Sequence, residues 1–387
     1  LYDLLAWGKQ PVPMHKHYRA VELLQHYPYV DPLKLLGGFR YGDCQEDDAR
    51  MTMTVVAAAQ ANGAVCANRI AAEELLYAGE RFSGARLRDE VSGETFEVKA
   101  RCVAVTAGPW ARQVLGPQAP KVKLIKGTHI ILPPIQDCKE AFLLTANDGR
   151  VFFVIPWYGH TLVGTTEKEV QSPSEAVPTE DEISYLIAGV RNGLPGLGWK
   201  EEHVIGAFSG VRTLQAADTS NLAAVSREFE ILSPREGVIV PIGGKYTTSR
   251  CDAVDIVDVA CKTLRHKARS RTHATLLPGA PAQDFETWKP LAEQQLINAG
   301  VDVEAAHWCT LRHGTRIEKL IQLIAENPAW KQRIVADAPF IQAEAVLAAR
   351  DEMALSVEDI SRRRLPLMLL SRDKNYSSVM ETLMRCV

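Results

Sequence analysis

Gly237-Val-Ile-Val-Pro-Ile-Gly243-Gly244-Lys245-Tyr246-Thr247-Thr248-Ser249-Arg250 is the stretch on which the fold turns. The apolar run from Gly237 to Pro241 reads as a strand. Two glycines follow, and a helix opens behind them, from about Thr247 to His266. Glycine lets a backbone approach a ligand closely. The start of a helix offers free N–H groups and partial positive charge. Such a turn suits the electron-rich edge of a bound ring, and Lys245 adds a mobile positive charge. The same spacing suits an ordinary glycine-rich turn. It is not a phosphate loop, because GxxxxGK[ST] is absent.

Working outward, Arg101-Cys-Val-Ala-Val-Thr106 is a second apolar run, of the kind buried on both faces of a sheet. It leads into Ala107-Gly108-Pro109-Trp110, where a helix start is expected. Between the two runs, candidate strands fall at 128–132, 141–145, 151–156, 161–165, 203–210 and 229–232. One helix interrupts them. Thr179-Glu180-Asp181-Glu182 is a capping box with an apolar stripe, Ile183, Leu186, Ile187 and Val190, behind it. Upstream, Met51 to Ala61 reads as a helix stopped by Asn62-Gly63, then a short strand at 64–69 and alternating segments at 83–89 and 95–99. Residues 284–387 read as helical, with Ser356-Val-Glu-Asp359 a second capping candidate.

This order is an α/β unit interrupted by a mostly antiparallel β domain and followed by a helical one. The expected divisions are residues 1–119, 120–235, a return at 236–270, and 283–387. A length of 387 residues suffices for several domains. The net charge of -3 gives no overall basic field, so a nucleic-acid partner is not expected. No run of eighteen apolar residues occurs. The eight cysteines form no CxxC and no zinc spacing, and are read as buried thiols of a cytosolic protein. Arg362-Arg363-Arg364 reads as a solvated helix end.

Three further motifs carry candidate chemistry. In Phe208-Ser-Gly-Val-Arg212-Thr-Leu214, Arg212 at a strand end can offer its planar fork to a phosphate or carboxylate. Arg227, in Val225-Ser-Arg-Glu228, is a second candidate for that anion. In Leu124-Ile-Lys-Gly-Thr-His129-Ile-Ile131, His129 could be a proton acceptor or a hydrogen-bond donor. Thr106-Ala107-Gly108 ends a strand where backbone can touch a cofactor at a sheet's carboxyl edge. Each alone also suits a structural role, such as a surface salt bridge or a satisfied core histidine.

In chain order the motifs are Asp47-Asp-Ala-Arg50, Thr106-Ala-Gly-Pro-Trp110, Lys126-Gly-Thr-His129, Phe153-Val-Ile-Pro-Trp157, Val163-Gly-Thr-Thr-Glu167, Gly210-Val-Arg-Thr-Leu214 and Gly243-Gly-Lys-Tyr-Thr-Thr248. This ordered set closely resembles the FAD-dependent, quinone-reducing glycerol-3-phosphate dehydrogenases, glutathione-reductase-like flavoproteins related to D-amino-acid oxidase. The resemblance spans about residues 30–270 and continues into the helical part through Ala343-Glu-Ala-Val346, Asp351-Glu-Met-Ala354 and Asp359-Ile-Ser-Arg-Arg-Arg364.

The resemblance implies FAD as cofactor and oxidation of glycerol 3-phosphate to dihydroxyacetone phosphate, with a membrane quinone as the acceptor. Arg212 and Lys245 would flank the substrate, with Arg227 and His129 lining the same pocket and His129 the first candidate for the base. Gly243, Gly244, Lys245, Tyr246, Thr247 and Thr248 would hold the flavin ring. Thr106, Ala107 and Gly108 would lie along FAD, and Val65 near the adenine. Such an enzyme is cytoplasmic and peripheral on the inner face of the membrane, and a homodimer is compatible with it. The alternatives are a related oxidase that uses oxygen and a non-catalytic remnant or interaction module.

The sequence departs from the family pattern in three places. It contains no GxGxxG. Its opening, Leu1 to Trp7, reads as the middle of a helix whose upstream part is absent, and for want of phosphate contacts the chain as given is expected to bind FAD poorly and to be weakly active or inactive. Thr213 stands where proline is usual, and Ser249 where an aromatic is common.

Overall fold

The computed structural model describes residues 12–215, 229–373 and 375–385. Strand β1 (Lys16–Arg19) pairs antiparallel with β2 (Gly37–Arg40), and helix α1 (Ala20–His26) lies between them. Helix α2 (Asp48–Ala61) starts at Asp47, whose carboxylate accepts from Arg50 N at 3.1 Å. It ends at Asn62-Gly63, as that pair of residues dictates.

The strand expected at 64–69 does not form. These residues have no ladder partner among the described residues, and Val65 is 98% exposed. A strand needs neighbours for its backbone groups, and apolar sequence alone does not supply them. Strand β3 (Ile70–Ala78) follows instead, antiparallel to β4 (Arg81–Asp89), which pairs with β5 (Thr95–Lys99). Two register shifts along β3, at Ala72/Glu74 and Leu76/Tyr77, break the two-residue alternation that would have marked it.

Strand β6 is short (Val103–Ala104) and Ala104 is exposed, so the expected double-faced burial of 101–106 is not found. After a 3-10 turn, Gly108–Trp110, comes α3 (Ala111–Leu115). Val105 and Leu115 pack with Leu75, Phe82, Val238 and Val240 in a small core.

The large antiparallel sheet is organised by β7 (Val122–Leu132). Beyond it come β8 (Phe142–Thr145), β9 (Val151–Trp157), β10 (His160–Gly164), β11 (Lys168–Val170), α4 (Glu180–Gly193) and β12 (Gly206–Gln215). One edge of β7 pairs with β12 along ten residues, and the other is shared end to end by β11 and β10. The order continues through β9 to β8.

One face is covered by α4: Leu186, Ile187 and Val190 pack on Ile130, Leu132, Phe152, Val154 and Val163. Gly189 lets the helix sit close, since a Cβ there would meet the Phe152 ring at 2.8 Å. On the opposite face, Ile131 and Tyr158 join the core of the helical region.

The chain then returns through β13 (Glu230–Leu232) and β14 (Val238–Ile242). Strand β14 runs parallel to β6. Helix α5 (Ser249–Leu264) follows, then α6 (Phe285–Asn298), α7 (Val303–His313), α8 (Ile317–Glu326), α9 (Gln342–Asp351), α10 (Leu367–Leu370) and α11 (Tyr376–Met384). Ser356 caps the π-helical turn Asp359–Arg364 by accepting from Asp359 N at 3.1 Å.

Two expectations need correction. Of the described cysteines only Cys309 is buried, while Cys44 and Cys251 are exposed. An apolar sequence context does not bury a residue on a helix such as α5, which has no buried position. In the arginine triplet, Arg364 is buried and donates to Glu352 O, so only Arg363 is openly solvated.

Candidate active site

Register places one row of side chains across five strands of the large sheet: Leu143, Phe153, Gly164, His129 and Phe208. Side chains alternate between faces along a strand, so residues two apart share a face. Gly127 and Gly210, register partners, therefore lie beside His129 and Phe208, and Arg212 lies one step further on the same side. The two site motifs, Gly127-Thr-His129 and Gly210-Val-Arg212, meet on one surface.

The ring of His129 stacks on Phe208, with centroids 5.1 Å apart and planes 7° from parallel. On its other side stands Gly164, where a Cβ would lie 2.6 Å from His129 Cγ. A Cβ at Gly127 would meet the Thr165 hydroxyl, Thr166 O at 3.2 Å and Arg212 Nη2 at 3.4 Å, so the Thr165 hydroxyl and the guanidinium both pack over this position on β7. Its Nη2 is 3.4 Å from Glu167 Oε1. A Cβ at Gly210 would meet nothing within 4 Å. The result is a shallow trough, open at Gly210 and packed by His129 at Gly164 and by Thr165 at Gly127, with an imidazole near one end and a guanidinium near the other.

Burial, and then the charge of Arg212, pushes His129 down to about 4. At neutral pH the ring is uncharged, and its Nδ1 is buried without a hydrogen-bond partner. The reverse face of β7 is held by a polar cluster. Lys126 Nζ lies 2.8 Å from Glu182 Oε2 and donates to Val177 O at 2.9 Å. Thr166 Oγ1 donates to Glu182 at 2.9 Å and accepts from Thr128 N at 3.0 Å. Burial alone would raise the Glu182 carboxyl, but Lys126 and the surrounding hydroxyls bring it down to about 2.

The second group of candidates lies on the small sheet. Because β6 and β14 run parallel, Thr106-Ala107-Gly108 and Gly243-Gly244-Lys245 leave it at the same carboxyl edge. Gly108, Gly243 and Gly244 have φ of 51°, 71° and 86°. A 3-10 turn, Tyr246–Thr248, opens α5, and Thr248 Oγ1 donates to Asp252 Oδ2 at 2.9 Å. Tyr246 OH donates to Asp48 O at 3.2 Å, tying this turn to α2. Thr247 and Lys245 are exposed, and Lys245 makes no ion pair among the described residues.

The structure thus brings His129 and Arg212 together, and brings 106–108 together with 243–248. No hydrogen bond or ion pair joins the two groups among the described residues. Val65 touches neither, and Arg227 lies outside the described residues. Gly127, Gly210, Phe208 and Glu167 stand inside the quoted motifs without a role of their own, and Gly164-Thr165-Thr166 reads from the sequence as sheet core carrying a pocket wall. The Gly-x-His and Gly-x-Arg spacing was the available signal.

A cavity of about 950 Å³ lies elsewhere, between the β9–β10 turn, the start of α2 and the helical region. Trp157, Tyr158, Trp308 and Arg312 line it, and none of His129, Arg212 and Lys245 does. The Asp47–Arg50 motif borders this cavity and is structural. Tyr158 OH donates to Asp47 at 2.6 Å, and Arg50 makes a bidentate pair with Glu352 at 2.8 and 3.0 Å. Among the described residues no cluster of His, Cys, Asp and Glu could hold a metal.

The FAD dependent oxidoreductase family matches residues 2–244, more than half of the chain, and the chain belongs to that family. The C-terminal domain of alpha-glycerophosphate oxidase matches residues 270–385. Within the class, the chain is 30% identical to glycerol-3-phosphate dehydrogenase 2 of Mycobacterium tuberculosis over 95% of its own length and 63% of the relative's. It is 30% identical to the human mitochondrial glycerol-3-phosphate dehydrogenase over 94% of its length and 52% of that protein. The chain thus spans between half and two thirds of these relatives. The fold matches the Bacillus halodurans glycerol-3-phosphate dehydrogenase complexed with FAD at a TM-score of 0.78 and 22% identity, over 95% of this chain and 79% of that one.

FAD is the cofactor of this family. The open floor at Gly210 and the open backbone at Gly108 fit the ring side of such a group. Residues 1–387 contain no GxGxxG to meet its pyrophosphate.

Proposed function

We propose that the protein serves in the oxidation of sn-glycerol 3-phosphate to dihydroxyacetone phosphate, with electrons passed from FAD to a quinone at a membrane surface. The observation that carries the reading is the trough itself: Arg212 beside a neutral His129 on one face of the sheet. When bound, FAD supplies the two-electron acceptor for the hydride that leaves the secondary carbon.

The chain's own residues do the rest. Arg212 presents a planar pair of donors to the substrate phosphate. In the present structure Glu167 occupies part of that fork, so the phosphate would take over a partner already in place. Arg227 is the second proposed phosphate ligand. Lys245 would give electrostatic support on the cofactor side, and the backbone at 106–108 and 243–248 would hold the ring. Val65 is proposed to face the adenine. The proposed parts are residues 1–119 with 236–270 for the cofactor, 120–235 for the substrate and 283–387 for the helical cap. Among the described residues no helix is long and apolar enough to cross a membrane.

The test is anaerobic mixing of flavin-loaded protein with glycerol 3-phosphate. Bleaching of the flavin band supports the reading, and a flavin that stays oxidised ends it. Reoxidation by a soluble quinone without peroxide supports the quinone, and stoichiometric peroxide in air would assign oxygen instead.

A further inference from the structure

We infer that His129 faces the trough as a hydrogen-bond donor, with its proton on Nε2, and that the substrate's hydroxyl proton leaves by another route. The second half rests on the proposed reaction; the first half does not.

The ring of His129 is clamped in its cross-strand row between the bare backbone of Gly164 and the face of Phe208. The residue as a whole is only partly buried, yet Nδ1 is fully buried and has no hydrogen-bond partner. Which nitrogen of a histidine carries the proton is set by what the other one meets. Three forms compete.

A proton on Nδ1 leaves a buried N–H with nothing to bind, a defect that costs about 1–3 kcal/mol and is rare in folded proteins. The imidazolium keeps that defect and adds a buried positive charge beside Arg212. With the proton on Nε2, no N–H is orphaned. Nδ1 then keeps an unpaired lone pair, a buried defect that folded proteins tolerate more often than a stranded N–H, and Nε2 is not among the buried unpartnered atoms.

Base catalysis at Nε2 requires the reverse. The lone pair must be on Nε2, the proton on Nδ1, and the imidazolium must form when the substrate proton is captured. Histidines that work this way have an acceptor behind them to hold Nδ1–H. Among the described residues His129 has no such acceptor. The packing therefore opposes both states that a base would pass through.

A donor at Nε2 can hold the oxygen of the secondary alcohol by a lone pair and keep it in place as the carbonyl forms. The hydride and its electron pair still go to the flavin. Only the proton's destination changes, to solvent through a group other than His129.

The experiment is long-range proton–nitrogen NMR on the full chain labelled with ¹⁵N-histidine, with the His129 signals assigned by their loss in His129→Gln. The expected pattern at pH 7 is a protonated Nε2 and a bare Nδ1. A protonated Nδ1, alone or with Nε2, overturns the inference.

A second measurement compares His129→Gln with His129→Ala in flavin reduction by glycerol 3-phosphate. The glutamine amide keeps an N–H donor and cannot serve as a base. Its rate should stay within about tenfold of the parent while the alanine falls about 10²–10³-fold, as loss of one donor to a developing charge does. Equal losses overturn the donor role. If glycerol 3-phosphate does not reduce the parent's flavin, the proposed reaction fails, and the nitrogen spectra alone decide where the proton sits.

Discussion

Gly164→Ala should dislodge His129. A Cβ at this position would lie 2.6 Å from His129 Cγ and 2.7 Å from Nε2. Ordinary carbon contacts are at roughly 3.5–4.0 Å, so the ring must retreat by about 1 Å. It cannot do so along the row, because Phe208 is stacked against its far side with centroids 5.1 Å apart. Overpacking of this kind costs about 1–3 kcal/mol. Replacing glycine inside a strand returns about 0.5–1 kcal/mol of backbone entropy, which leaves a net loss of about 0–2.5 kcal/mol. The functional effect should be larger, since a 1 Å displacement of a positioned group can cost about 10²-fold in rate. Urea unfolding gives the first quantity and anaerobic flavin reduction the second. The double variant His129→Ala/Gly164→Ala removes the clash and should recover the stability lost in the single one, a coupling that a double-mutant cycle reads directly. A Gly164→Ala protein with unchanged midpoint and flavin reduction within threefold of the parent would refute the reasoning.

Replacing Glu352 by Ala should destabilise the fold by about 3–5 kcal/mol, because it strands the buried Arg50 and the half-buried Arg316, both now held at 2.8 Å; a guanidinium titration showing less than about 1 kcal/mol would contradict this. Arg212→Lys keeps the charge but loses the fork, and should raise KM for glycerol 3-phosphate about 10- to 100-fold with a smaller change in kcat, so an unchanged KM would count against phosphate binding there. Glu182 and Glu352 both sit at about 2 against an ordinary 4.5. A carboxyl lowered in the folded state contributes stability that is present above pH 4.5 and lost as pH falls toward 2. Unfolding free energies should therefore fall steadily from pH 4.5 to pH 2.5, less so in Glu182→Gln, and a flat profile in the parent would sink the assignment.

The helix ends and most strands were readable because each rests on local chemistry. Thr179 with Glu182 caps α4, and Asn62-Gly63 ends α2. Strand β3 was not readable, since a register shift between Ala72 and Glu74 leaves Glu73 out of the ladder and a second at Leu76/Tyr77 breaks the alternation again. The segment at 64–69 failed the other way, having apolar sequence but no partner. At the site, His129 and Arg212 stood out as residue types, while the stack on Phe208 and the gap left by Gly164 depend on strand register. No local spacing reveals that Arg50 will pair with Glu352, 302 positions away.

That distant pairing bears on how such proteins could be recombined. Arg50 opens α2, Arg312 and His313 close α7, and Glu344 and Glu352 sit within and just past α9. Glu344 holds Arg312 and His313 at 2.7 and 2.9 Å, as Glu352 holds Arg50 and Arg316. A chimera that took its helical cap from a relative lacking Glu352 would enclose the Arg50 guanidinium with no counter-ion. The junction thus acts as a compatibility check between the two ends of the chain, and swaps between parents should succeed only when both halves of this ionic lock travel together.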